Sequence, residues 1–233
     1  MHNFMNNCIK QPIAIFSHLC YNIIKKIYLT FYGVKVVTMK KLLITGFQPF
    51  GGETINPSWE AVKQLPSLIN DYELVKLELP VVFGLAFEKA IAVANEVNPS
   101  VVLCVGQAGG RGAITPELVA INLRNASIPD NNGNQPKDEP IIPGGDCAYF
   151  STLAVRKMAE AVSASGIPSQ ISYSAGAYVC NDLLYSLLAH FKGSSTRVCF
   201  IHIPYCEEQN KQPCLPLTTI TRALTTAIEH LDD

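Results

Sequence analysis

The sequence predicts a single α/β domain with a largely parallel core sheet, and three observations carry that expectation. From Lys41 onward, short β-rich apolar runs alternate with segments of helical periodicity. The runs VVLCV (101–105) and VCFIHI (198–203) are apolar at consecutive positions, as expected of strands covered on both faces. A chain of 233 residues, 48% hydrophobic and 16% charged, is also long and apolar enough to bury one substantial core.

Taken in order, the strands are expected at 41–45, 73–79, 101–105, 169–172 and 197–203. Helices are expected at about 58–64, 83–95, 152–164, 181–191 and 216–231, most of them bounded by Pro, Gly, Ser or Asn. Between them, 125–145 (NASIPDNNGNQPKDEPIIPGG) is dense in Pro, Asn, Asp and Gly and reads as an extended loop or irregular hairpin, the kind of long loop that often serves function. No internal repeat or low-complexity tract occurs in 39–233, which excludes a solenoid.

Residues 1–38 differ in character from the rest of the chain. They are rich in Ile, Asn, Lys and Tyr without sustained periodicity, and Lys10, His18, Lys25 and Lys26 interrupt every apolar stretch that could span a membrane. Nor do a charged start, a continuous apolar centre and a small-residue cleavage site succeed one another as in a secretory signal. Met39-Lys40-Lys41 directly precedes the first clear strand, so 1–38 is read as a start-site artefact or disordered extension and 39–233 as the domain.

A formal charge of −1 and a pI near 6.5 give no reason to expect nucleic acid or an anionic membrane as partner. The eight cysteines are scattered, with no CxxC pair, and the five histidines show no zinc-ligand spacing. Free thiols in a reducing cytoplasm fit this pattern, and there one cysteine is free to act as a nucleophile.

Cys180, in SYSAGAYVCNDLLY, falls where an expected strand passes through small residues into a helix. Backbone N–H groups at a helix start stabilise a thiolate, lowering its pKa, and donate to an oxyanion. His202, in FIHIP, stands at the carboxyl end of an apolar strand, where open α/β sheets build their sites. Glu117, in ITPELVAINL, follows the Gly-rich turn GQAGGRG and is a candidate for the third group that orients a base. Local pattern alone leaves the plainer readings open: a buried structural thiol, a hydrogen-bonded core histidine and a solvent-facing acid.

The segments GFQPFGG (46–52) with NPS (56–58), GQAGGR (106–111) with ITPE (114–117) and INL (121–123), IPDN (128–131), SAGAYVCN (174–181) and FIHIP (200–204) occur in an order and spacing that resemble the pyroglutamyl peptidase I, or pyrrolidone-carboxylate peptidase, family. The resemblance implies a single three-layer α/β/α domain around a twisted, mostly parallel mixed sheet, commonly assembled as a homotetramer. It also implies a Cys-His-Glu triad of Cys180, His202 and Glu117, and no metal or organic cofactor. Its substrate would be a peptide with an N-terminal pyroglutamyl residue, cleaved through a thioester and held by Phe47, Phe50, Gln107, Ile128, Tyr178 and Val179. Two departures stand out: Gln48, where family members often carry aspartate, and Ser127, where an arginine associated with the oxyanion is common. They keep a pyroglutamyl-binding protein without turnover as a rival reading, beside an enzyme acting on another small amide or nucleoside-like ligand.

Overall fold

The structure, a computed structural model, describes residues 39–232; the expected extension 1–38 lies outside them. Six strands form the main sheet: β1 (Lys40–Phe47), β2 (Leu68–Ile69), β3 (Tyr72–Leu79), β4 (Val101–Gln107), β5 (Thr115–Pro116) and β8 (Arg197–Ile203), in the order β2-β3-β1-β4-β8-β5. The pairs β3-β1, β1-β4 and β4-β8 are parallel, and the two outer pairs are antiparallel. Two small ribbons, β6 (Val119–Ile121) with β7 (Ala148–Phe150) and β9 (Tyr205–Cys206) with β10 (Cys214–Leu215), lie beside it.

Strand alternation divides the core into two clusters, one on each face of the sheet. Leu42, Ile44, Val101, Leu103, Val105, Cys199 and Ile201 share a cluster with helices α1 (Pro57–Gln64), α3 (Val155–Ala164) and α5 (Leu217–Glu229). The intervening residues Leu43, Val102, Cys104, Val198 and Phe200 pack with α2 (Leu85–Val97) and α4 (Val179–His190). Both faces are thus covered, which is why the central strands read as continuous apolar runs and why the fold is a three-layer α/β/α sandwich. In α2 the sheet-facing stripe is Ala86, Ala90 and Ala94, one turn apart and small enough for the helix to approach closely.

Sequence and structure differ at the margins. The helix expected from 152 begins at Val155, because the Thr152 hydroxyl and amide are engaged with Val198 of β8. The helix expected from 181 begins at Val179, which places Cys180 inside its first turn. The expected strand 169–172 is extended chain that makes only isolated bridges, Ile114 to Ser169 and Glu117 to Ser172. Its partner there is a segment containing Pro116, which has no N–H to sustain a ladder. The loop expected at 125–145 is an irregular hairpin, pinned at its base by the Arg124–Glu139 bridge.

Candidate active site

Four loop clusters meet at the carboxyl ends of β1, β4 and β8, and the motifs explain how each is held. Asn56 caps α1 by accepting from Ser58 N at 3.1 Å, while its Nδ2 donates to Gln48 O at 3.0 Å. Ser58 Oγ in turn accepts from Phe47 N at 2.9 Å. The NPS motif therefore starts a helix and fixes the loop that carries Phe50. Asp130 of IPDN accepts from Phe83 N at 3.0 Å and from the amides of Asn132 and Asn134, and Asn131 Nδ2 reaches Pro49 O at 2.9 Å.

The start of α4 is anchored by its own first turn. Asn181 exchanges hydrogen bonds with Ile121, giving Nδ2 to its carbonyl at 2.9 Å and accepting its N–H at 3.0 Å. Asp182, completely buried, accepts from Gly84 N at 2.9 Å and from Arg124 Nε at 2.6 Å. Tyr178, at the N-cap, supplies no side-chain cap, so the first-turn N–H groups of Val179, Cys180 and Asn181 remain directed out of the helix.

His202 lies between Gly106 of β4 and Thr115 of β5 in the sheet register. Its side chain projects on the same face as Phe200, two residues earlier, and the two rings stand 4.7 Å apart. Gly106 projects on that face too, and a Cβ there would stand 3.0 Å from Cys180 Sγ and 2.6 Å from Phe200 Cζ. A missing side chain in β4 is thus the space that seats the thiol, at the residue in register with His202. On the other side, His202 Nδ1 is 2.6 Å from Glu117 Oε1, and Glu117 has no exposed surface. The three candidates are brought together by β4, β5, β8 and the first turn of α4.

Burial pushes the Glu117 carboxyl up, but the hydrogen bond and charge of His202, with help from Arg111, overcome it and hold the group below its usual range. Burial dominates at His202 and holds it below the ordinary imidazole value despite Glu117. At neutral pH the pair is therefore carboxylate and neutral imidazole. With Nδ1–H donating to Glu117, the bare Nε2 is the basic nitrogen. Cys180 departs from expectation: burial pushes its thiol up to about 12, Glu117 adding to the rise and Arg111 offsetting it. Burial also takes Cys104 and Cys199 to about 12, so placement rather than acidity distinguishes Cys180.

The expected binding residues fall into three groups. Phe50 and Tyr178 stand 6.3 Å apart, Tyr178 meets Phe83 edge-on at 5.3 Å, and Tyr178 Oη donates to Pro129 O at 3.0 Å, next to the exposed Ile128. Phe47 and Val179 are buried in the core, Phe47 against Phe200 at 6.3 Å. Gln107 ends β4, with its side-chain oxygen accepting from Gln209 Nε2 at 2.9 Å. Ser127 is exposed on its loop. The cation fixed nearby is instead Arg124, 5.8 Å from the Phe83 ring centre and paired with Asp182. Sequence reasoning did not single out Phe83, Arg124 or Arg111. Phe83 and Arg124 carry no local signal, and Arg111 showed only as a member of a Gly-rich turn.

Comparison with known proteins identifies the family of the chain. A family model described as pyroglutamyl peptidase matches residues 40–232. The chain is 50% identical over 198 residues to the pyrrolidone-carboxylate peptidase of Levilactobacillus brevis, covering 82% of this chain and 97% of that one. To the protein of the same description from Brevibacillus brevis it is 48% identical over 198 residues, covering 82% and 92%. Among solved structures, pyroglutamyl peptidase I from Bacillus amyloliquefaciens superposes with a TM-score of 0.80 at 44% identity, over 84% of this chain and 96% of that one. Pyrrolidone carboxyl peptidase from Thermococcus litoralis gives 0.79 at 35% identity, over 83% and 93%. Sharing fold, length and sequence with these proteins along its whole described domain, the chain belongs to the pyroglutamyl peptidase family, a family of cysteine peptidases.

Proposed function

We propose that the protein hydrolyses the bond after an N-terminal pyroglutamyl residue with Cys180 as nucleophile, His202 as base and Glu117 as the group that orients the base. The observation that carries this reading is the 2.6 Å contact of His202 Nδ1 with buried Glu117, on a strand whose neighbour Gly106 seats the Cys180 thiol. His202 Nε2 takes the thiol proton as sulfur attacks the carbonyl carbon, and the oxyanion is met by first-turn N–H groups of α4. Collapse breaks the C–N bond, the leaving amine takes the proton from Nε2, and a thioester remains. Nε2 then deprotonates a water that attacks the thioester, releasing pyroglutamate, and the proton returns to sulfur.

The lactam ring suits the groups gathered here. Phe50 and Tyr178 offer aromatic surface to its flat apolar faces, with Ile128 on the adjoining loop and Phe47 and Val179 shaping the floor from the core. Its edge carries one N–H and one C=O, and Gln107 supplies complementary backbone groups. Successive residues of a strand turn their amides to opposite sides. Ala108 gives its N–H to Ile203 O at 2.8 Å, so Gln107 turns its own N–H and C=O toward β1, whose ladder with β4 has ended at Thr45 and Cys104.

The cysteines at 104, 147, 180, 199, 206 and 214 are free, which supports a reducing cytoplasmic location, and among the described residues no helix is long and apolar enough to cross a membrane. The homotetramer implied by the resemblance is part of the same proposal, and sedimentation velocity tests it. Release of a fluorescent amine from a pyroglutamyl amide tests the reaction. Cys180→Ser should abolish it, and mass spectrometry of the alkylated wild-type protein should find the label at Cys180. Comparable loss from Cys104→Ser in a folded protein would assign the nucleophile elsewhere.

A further inference from the structure

We propose that Arg111 is a positioning residue of this reaction, its guanidinium fastening the carboxylate that orients His202 to the turn that delivers Cys180. The proposal rests on the Cys-His-Glu reading above. Nη1 donates to Glu117 Oε1 at 2.7 Å, to Thr115 Oγ1 at 2.8 Å and to Ser172 Oγ at 3.2 Å, while Nη2 donates to Ser174 O at 3.0 Å. Thr115 is the register partner of His202, and Ser172 to Ser174 opens the chain leading through Gly176 to the start of α4. One planar fork thus spans the strand of the acid and the approach to the nucleophile. A single ammonium cannot reproduce that geometry.

Arg111 and His202 donate to the same oxygen, Oε1 of Glu117, and this gives the contact a second consequence. The guanidinium draws on the charge that would otherwise act on the imidazole alone. The ionisable groups acting on His202 are Glu117 and Arg111, and from α4 the Cys180 thiol lies against Gly106, the register partner of His202. Arg111 lowers the proton affinity of both His202 and Cys180, so its removal raises both. The acid limb of activity must then move to higher pH, whichever of the two first loses its proton.

The test compares Arg111→Gln and Arg111→Lys with the parent protein, reading three quantities. These are kcat/KM against pH on a pyroglutamyl amide, the rate of Cys180 alkylation by iodoacetamide against pH, and Tm. In Arg111→Gln, kcat/KM should fall about tenfold or more, as when orienting contacts loosen, and the acid limbs of both profiles should shift upward. Arg111→Lys should return the limbs toward the parent position because charge is restored, while part of the rate loss persists. A folded Arg111→Gln with lower Tm but unmoved limbs and unchanged kcat/KM would reduce the arginine to a structural role. Should the glutamine variant not fold, an Arg111→Lys protein with parental kcat/KM would overturn the role of the fork. If the parent cleaves no pyroglutamyl amide while its alkylation profile still responds to the arginine, the reaction assigned above fails and the coupling stands.

Discussion

Replacing Glu117 by glutamine should remove the charge of this site while keeping its geometry, and the structure separates the two contributions. Both donors, His202 Nδ1 and Arg111 Nη1, converge on Oε1, whereas Oε2 is buried without a hydrogen-bond partner among the described residues. A glutamine oxygen in the Oε1 position still accepts both bonds and keeps Nδ1 protonated. What it loses is charge assistance. Hydrogen bonds to charged groups contribute about 1.5–3 kcal/mol and neutral ones about 0.5–1.5, so the deficit is on the order of 1–2 kcal/mol. That corresponds to a loss in kcat of roughly 5- to 30-fold. The ~10⁴-fold loss known for an amide in this role arises where it imposes the wrong tautomer; here Oε1 goes on accepting from both donors, and Glu117→Ala, which removes the acceptor and frees the tautomer, is the variant expected to approach that loss.

The ordering is therefore the prediction: glutamine at least tenfold more active than alanine, measured as kcat on a pyroglutamyl amide. The pH profile adds a sign. Glu117 raises the proton affinity of His202, so Glu117→Gln should move the acid limb of kcat/KM to lower pH, opposite to Arg111→Gln. The new NH₂ takes the unpartnered Oε2 position, and an unsatisfied buried donor costs about 1–3 kcal/mol, visible as a fall in Tm of several degrees. Equal activities for glutamine and alanine variants, both folded, would refute the argument that one oxygen carries both contacts.

Gly106→Ala places a Cβ 3.0 Å from Cys180 Sγ and 2.6 Å from the fully buried Phe200 ring. It should lower kcat by about tenfold or more through displacement of the thiol, and an unchanged kcat would show that Gly106 does not seat the nucleophile. A chain beginning at Met39 should keep its melting temperature and its activity, since the family match spans 40–232; a drop of many degrees would show that 1–38 packs on the domain.

The elements legible in the sequence are those whose pattern is local. β1, β4 and β8 bury residues on both faces and announce themselves as apolar runs, β3 shows mixed polar and apolar residues of strand type, and the helices show their stripes. β5 has two residues, one of them proline, and exists only because β8 offers it an edge. Nothing in TP foretells that. The strand expected at 169–172 failed for the converse reason: its pattern was suitable, but its neighbour could not donate a ladder. Each candidate of the site was individually ambiguous, and only the ordered motifs separated them from buried thiols and core histidines. Arg111 stayed hidden because its meaning lies in contacts with residues 4 to 63 positions away that no spacing rule links.

The raised thiol at Cys180 shows what the start of α4 contributes. A helix N-terminus stabilises a nearby anion by at most about 2 kcal/mol, roughly 1.5 pH units. Burial takes the thiol from an ordinary 9.0 to about 12, a larger displacement in the opposite direction. On the proposed mechanism burial outweighs the helix at the resting thiol, and His202 takes the proton as sulfur attacks. The uncapped N–H groups of Val179, Cys180 and Asn181 are then best matched to the carbonyl oxygen that becomes negative in that same step. Their stabilisation appears in the transition state and not in the resting site, which is the condition for raising kcat rather than merely tightening binding. On the proposed mechanism backbone donors of α4 meet the oxyanion without a cation at Ser127, so Ser127→Arg should leave kcat unchanged or raise it modestly, and a large fall in kcat/KM with normal stability would show that Ser127 itself makes a needed contact.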